Sequence, residues 1–369
     1  MLYAPLMLRN ILLNPAQTPA GFFNLQAINL GGLREVTFDH DPTRAVTLGL
    51  HLEVPMDPHE ALLGFEVSLK DQEGHLVAFM RTAEIQIDAE MVVSFPYTGA
   101  QRLEQRLALP GGEPILIWNG LTWMSGAVPE ALRKLAEDYV ALLNAPFAQA
   151  RQIGFVPLIR GFRQPAYGTS PLTPHLVVEE EVATLLALDK DLEYAVSMAL
   201  EKLVGRQFRV RFIPGTHSFS LDTLDRSAHV AVELVNDGFG INQLVYLLAR
   251  ALHRETTLLC IEEPEIHLHP QSIRRLARFL ARTAQERGKR FLISTHSEPL
   301  VAAFLAEVAR GRLDPSDLAC YASTKEGKVV RFVRKKVTAD GQVEDGLGSF
   351  MAGEEEVVKA LLGMDDEEA

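Results

Sequence analysis

The sequence has little cysteine. Two residues in 369, Cys260 and Cys320, lie far apart and form no metal-binding spacing. That excludes a disulfide-stapled secreted scaffold and makes a reducing cytoplasm the simplest setting. No apolar run approaches the roughly 18 residues of a membrane-spanning helix, so no membrane partner is expected. Residues 1–10 are apolar but lack a basic leader, and Arg9 interrupts them. They read as a helix, not a signal peptide. Positive charge is also short: 36 Lys and Arg stand against 48 Asp and Glu, a net charge of −12. This argues against a chain coated with nucleic acid, while leaving room for a local basic patch. The rest is ordinary for a globular protein, with 47% hydrophobic and 23% charged residues. The length suits two domains or one large one.

The most informative stretch is 256–299. Residues 256–261 are apolar, β-rich and uncharged, the pattern of a strand buried on both faces of a parallel sheet. The run stops at two acids, Glu262 and Glu263, followed by Pro264 and Glu265. Residues 271–287 then read as a helix, with Ile273, Leu276, Ala277, Leu280 and Ala284 on one face. Pro270 suits its first turn and Gly288 its end. Residues 290–295 form a second apolar strand that ends at His296. Strand, helix, strand is a right-handed crossover. It brings Glu262, Glu263 and His296 to the carboxyl edge of the sheet, where open α/β folds bind ligands.

Adjacent carboxylates raise one another's pKa unless a cation lies between them or they face apart. Successive side chains on a strand do face apart. One acid can therefore serve a metal and the other a water, the division of labour of nucleoside triphosphate hydrolysis. The competing reading is a strand whose acids only solvate the sheet edge.

Residues 258–270, Leu-Leu-Cys-Ile-Glu-Glu-Pro-Glu-Ile-His-Leu-His-Pro, resemble the Walker B motif and D-loop of ABC-type ATPases of the RecF/SMC/OLD group. Ser294-Thr295-His296-Ser297 resembles their switch-histidine motif. The resemblance implies a P-loop NTPase fold: an α/β mixed sheet flanked by helices, with an antiparallel β lobe. It implies ATP and Mg²⁺, with Glu262 on Mg²⁺, Glu263 as catalytic base and His296 sensing the γ-phosphate. Glu262 stands where most relatives carry Asp. His267 and His269 fall in the D-loop. A metal reading for this pair with Glu265 lacks a further ligand at metal spacing. Gly238, Gly240, Asn242 and Gln243, opening a helix expected over 243–253, resemble a degenerate ABC signature that docks on nucleotide held by an opposite subunit. Asn242 replaces the usual Ser, and the alternative is a plain glycine turn with Asn242 as N-cap. The resemblance implies a homodimer, with DNA or an effector protein as further partner.

The phosphate loop of this group, Gly-x-x-x-x-Gly-Lys-Ser/Thr, occurs nowhere in the sequence; Gly31-Gly32 and Gly111-Gly112 lack the Lys-Ser or Lys-Thr. The helical residues 2–13 and the segment 28–36 resemble the part of the chain just downstream of that loop in relatives. Truncation or a misplaced start is the preferred account, ahead of a loop carried on another polypeptide or lost.

Five regions are expected: 1–40, a remnant of the first ATPase lobe; 41–125, an antiparallel β lobe; 126–235, a helical and β insertion; 236–310, the signature, Walker B, D-loop and switch-histidine lobe; and 311–369, a C-terminal extension. Residues 128–150 and 178–204 read as helices, and 207–235 as strands. Residues 155–167 resemble the group's Pro-Leu-Arg segment, where Arg160 and Arg163 could meet phosphate or a partner. Arg274, Arg275, Arg278 and Arg282 form a basic stripe that suits either DNA phosphates or solvent. The tail resembles OLD-related relatives without a nuclease, and no second acidic cluster suggests a Toprim nuclease. The expected function is an ATP-driven dimerisation switch in DNA repair or phage defence. The alternative is a non-catalytic scaffold that no longer binds ATP alone.

Overall fold

A computed structural model of the protein describes residues 2–13, 19–25, 28–56, 59–72, 75–88, 90–96, 103–106, 113–119, 122–176, 178–225 and 229–344. Residues 345–369 of the expected C-terminal extension lie outside them. The chain divides into two compact units, Met1–Gly154 and Phe155–Ala369.

In the first unit the alternating segments form a four-stranded antiparallel sheet. Val46–Met56, His59–Gln72, His75–Ile87 and Glu90–Pro96 pair in chain order. Period-two sorting is visible in the second strand, where Ala61, Leu63, Phe65, Val67 and Leu69 are all buried. The register slips between Glu66 and Val67, a bulge that bends the strand. A smaller sheet joins Leu103–Arg106, Ile115–Trp118 and Trp123–Ser125. The helix expected over 128–150 starts later, as Arg133–Arg151 after a 3-10 turn at Glu130–Leu132, and contains Pro146. Helix Ala4–Leu13 opens the unit, and its buried Arg9 donates to the Ile153 carbonyl at 2.9 Å.

In the second unit a three-stranded sheet has the order Arg290–Ser294, Leu258–Glu262, Ile153–Val156, the last strand spanning the boundary between the units. Leu258–Glu262 and Arg290–Ser294 pair in parallel, as the crossover pattern requires. The connecting helix Pro270–Arg287 buries Ile273, Leu276, Ala277, Leu280 and Ala281. Leu276 and Leu280 join one core with Leu259, Ile261 and the apolar face of helix Phe239–Leu252. The stretch 178–204 is two helices, Glu179–Leu188 and Lys190–Val204. Asp189 parts them and caps the second by accepting from the Leu192 amide. Further along the chain is an antiparallel sheet of Arg206–Phe212, Ser218–Asp225 and Val230–Glu233. After helix Glu298–Ala309, Cys320–Glu326 and Val329–Lys335 form a two-stranded hairpin. The architecture is α/β, with parallel and antiparallel strands and flanking helices. Among the described residues no helix is long and apolar enough to cross a membrane.

Candidate functional site

The crossover sets its two strand ends side by side. Glu262 pairs with Ser294 at the last rung of the ladder, and the Glu263 amide donates to the Ser294 carbonyl at 2.8 Å. Beyond that rung the chain turns. The Glu263 carboxylate comes within 3.8 Å of His296 Nε2, whose side chain is 91% exposed. One sequence-predicted acid and the histidine therefore meet, at an open edge that a ligand can reach. Glu262 takes a different direction: its Oε2 accepts the Leu158 amide at 3.0 Å. The two carboxylates take different directions, Glu262 from the last residue of the strand and Glu263 from the turn that follows it.

Glu263 holds φ +35. A non-glycine residue in such a region costs roughly 1–3 kcal/mol and persists only where its surroundings over-determine it. Arg160 supplies the restraint. It is 7% exposed. Its guanidinium donates to the carbonyls of Glu262 at 2.8 Å and Glu263 at 2.9 Å, and to that of Pro157 at 3.1 Å. Hydrogen bonds from a charged donor contribute about 1.5–3 kcal/mol each, so the two bonds to the acid pair suffice to offset the turn. Burial draws the Arg160 pKa down to about 10, against the pull of Glu265, Glu262 and Glu263. It remains a cation at neutral pH. A phosphate or partner contact was one of the uses open to Arg160; its guanidinium instead meets three carbonyls of its own chain. Arg163 is the exposed one of the pair, 73% open and 3.5 Å from Glu179.

Glu265 braces the histidine side. Its Oε1 accepts from the Thr295 hydroxyl, and Thr295 Oγ1 in turn accepts the Ser297 amide at 2.9 Å. The other carboxylate oxygen, Oε2, is buried without a hydrogen-bond partner. Burial pushes this carboxyl above its ordinary pKa. Sequence reasoning weighed Glu265 as part of the motif and as a metal ligand beside His267 and His269, and missed this brace. Nothing in the spacing of 265 and 295 announces it.

The glycine-containing segment starts its helix at Phe239, four residues before the expected Gln243, with Gly238 as N-cap. Asn242 and Gln243 consequently lie inside the helix and are buried. Asn242 accepts the Phe162 amide at 2.7 Å and donates to the Phe162 carbonyl at 2.8 Å. The exposed residues at this helix end are Gly238 and Phe239. Gly161 has φ +119, and a Cβ there would fall 2.6 Å from Asn242 Oδ1. A Cβ on Gly240 would run into the His267 carbonyl oxygen. Gly240 thus serves close packing of the helix on the backbone at His267 of its own chain.

His267 is exposed, at φ +62, with its ring 6.1 Å from that of Phe239. His269 caps helix Pro270–Arg287, its Nδ1 accepting the Gln271 amide at 3.3 Å. Three arginines of the stripe have partners within the chain: Arg275 the Leu203 carbonyl, Arg278 Glu307, and Arg282 Glu286. Among the described residues no group of three or more His, Cys, Asp or Glu side chains could hold a metal ion. A magnesium ion needs no such cage, since it is bound by one or two carboxylates together with substrate phosphates and water. Glu262, half-buried at the strand end, is a donor of that kind.

Residues 123–303 match the family described as "AAA domain, putative AbiEii toxin, Type IV TA system". None of the curated proteins matches the chain. Among solved structures, an Smc head bound to the C-terminal winged-helix domain of ScpA is similar at a TM-score of 0.45 and 10% identity, over 90% of this chain and 86% of that one. The SMC head domain from Thermotoga maritima gives 0.33 and 11%, over 74% of each chain. A structure from work on ATP-driven dimerisation and DNA-stimulated activation of SMC ATPases gives 0.34 and 11%, over 51% of this chain and 99% of that one. The matched stretch contains Arg160, Glu262, Glu263 and His296.

Proposed function

We propose that the chain provides the acid, D-loop and histidine half of an ATP-hydrolysing site, and that hydrolysis drives a dimerisation switch. The observation that carries this reading is the approach of Glu263 to His296 across two parallel strand ends, 3.8 Å apart at an open edge. Glu262 would hold Mg²⁺, which supplies charge neutralisation on the phosphates. Glu263 accepts the proton of the attacking water. His296, on the neighbouring strand end, donates to the terminal phosphate or to that water. The reading needs a phosphate loop, which this sequence does not contain. A second copy is the partner, docking through the helix end at Gly238 and Phe239. On the family resemblance the setting is DNA repair or phage defence.

In a version that carries the loop, Glu263→Gln keeps the shape of the side chain but removes the base. Loss of general-base assistance lowers turnover by about 10²–10⁴, and the ATP-bound dimer accumulates, as sedimentation would report. His296→Ala slows turnover less. Parental turnover in Glu263→Gln would return the acids to the role of edge solvation. ATP binding by neither parent nor variant would favour a scaffold.

A further inference from the structure

We infer that Arg160 is a positioning residue that fixes the backbone of the acid pair, and that the loop carrying it ties that pair to helix Phe239–Leu252. The geometry assigns the role. A guanidinium offers five N–H donors in a rigid plane and no acceptor. Here it meets three carbonyls, two of them from the consecutive residues Glu262 and Glu263. The Glu262 carbonyl lies at the last rung of the ladder and the Glu263 carbonyl beyond it. The Glu263 carbonyl also receives the Ile266 amide at 3.2 Å, closing the turn in which Glu263 holds its positive φ. Arg160 therefore sets the direction in which the Glu263 side chain leaves the strand, and so its approach to His296.

The loop is itself fixed. Phe162 exchanges two hydrogen bonds with buried Asn242, and Gly161 fits against that side chain only because it has no Cβ. A continuous path of bonded groups runs from Asn242 through residues 160–162 to the acid pair. Whatever docks on the exposed end of helix Phe239–Leu252 thereby acts on a helix bonded to the segment that aims Glu263. The positioning role stands on geometry alone; its consequence for turnover rests on the ATPase reading.

Hydrogen exchange on the full chain tests it, read at the amides of Glu263 and Ile266. Arg160→Ala should raise exchange there about tenfold or more, as expected when a local opening becomes easier. The strand amides of Cys260 and Ile261 and the helix amides of Leu247 and Leu248 should stay protected. Guanidinium ion at low, non-denaturing concentration should restore protection in Arg160→Ala, and methylammonium should not, because only the former reproduces the planar fork. Arg160→Lys retains charge and volume and should still show the local rise; it decides the matter alone if Arg160→Ala does not fold. Parental exchange at Glu263 and Ile266 in the folded variants, or no response to guanidinium in a folded Arg160→Ala, would overturn the assignment. Turnover separates the two readings. A full-length protein that never hydrolyses ATP sinks the ATPase reading and leaves the exchange result standing. A protein that hydrolyses ATP with unaltered exchange in the variants sinks only the role of Arg160. Where both hold, Arg160→Lys should lower kcat while leaving KM near the parental value.

Discussion

The four-stranded sheet of the first unit and the crossover of the second are both built on apolar strands, yet they are held in different ways. In the sheet, neighbours in sequence pair with one another, and every second side chain from Ala61 to Leu69 enters the core. In the crossover, the strand Leu258–Glu262 ends on groups whose partners lie far away in the chain. Leu158 and Arg160 come from about a hundred residues upstream and Thr295 from 30 downstream. Apolar area stabilises the first region. Directed hydrogen bonds to a strained turn shape the second. A fold can thus take its stability from one kind of order and its chemistry from another.

The contrast is most easily broken in the sheet. Leu63 is fully buried, and Leu63→Ala should cost about 2–5 kcal/mol through lost burial and a residual cavity. Urea unfolding measures this directly, and a cost below about 1 kcal/mol would say the alternation does not build a core. In the crossover region the matching insult is a small addition. Gly240→Val places a Cβ against the His267 carbonyl and should destabilise by about 1–3 kcal/mol. Thermal melting checks it. A fully stable variant would restore Gly240 to a free surface facing another subunit.

Acid sharpens the difference. His253 is buried, and burial, aided by Arg250 and Lys289, draws its pKa from 6.5 to about 4. The folded state thus resists protonation while the unfolded state accepts it. The stability this group contributes is complete above pH 6.5 and is lost as the pH falls towards 4. Between about pH 6.5 and 5 the loss should be about 1–2 kcal/mol, and His253→Gln should flatten the curve in that window. The smallest effect belongs to the exposed neighbour of Arg160. Arg163→Ala removes an open ion pair with Glu179 and should change stability by about 0.5 kcal/mol or less.

These contrasts explain why some features were legible in the sequence and others were not. Period-two alternation and the apolar–acidic–amphipathic–apolar order each depend on neighbours, so the antiparallel lobe, the crossover and the meeting of Glu263 with His296 were legible. The hairpin Cys320–Glu326 with Val329–Lys335 was half legible, because only its second strand is strongly apolar. Asp189 hid a helix break inside a helical pattern, acting as an N-cap rather than a surface charge. The clamp of Arg160 and the brace of Glu265 were not legible. They join residues whose types are unremarkable and whose spacing carries no period. Asn242 misled for the same reason: an amide after a glycine turn suits a surface cap or a buried bridge equally well.

The most direct test of the central claim compares Glu262→Gln with Glu263→Gln in ATP affinity, measured by calorimetry with Mg²⁺ in a version that carries the phosphate loop. The proposed reading gives the two acids different tasks, and their side chains do meet different partners, Glu263 nearing His296 and Glu262 accepting the Leu158 amide. Glu262→Gln should weaken Mg²⁺–ATP binding, because a neutral amide is a poor magnesium ligand. Glu263→Gln should leave binding near the parental value while hydrolysis stops. Equal affinities for both variants, with both still hydrolysing ATP, would contradict that division.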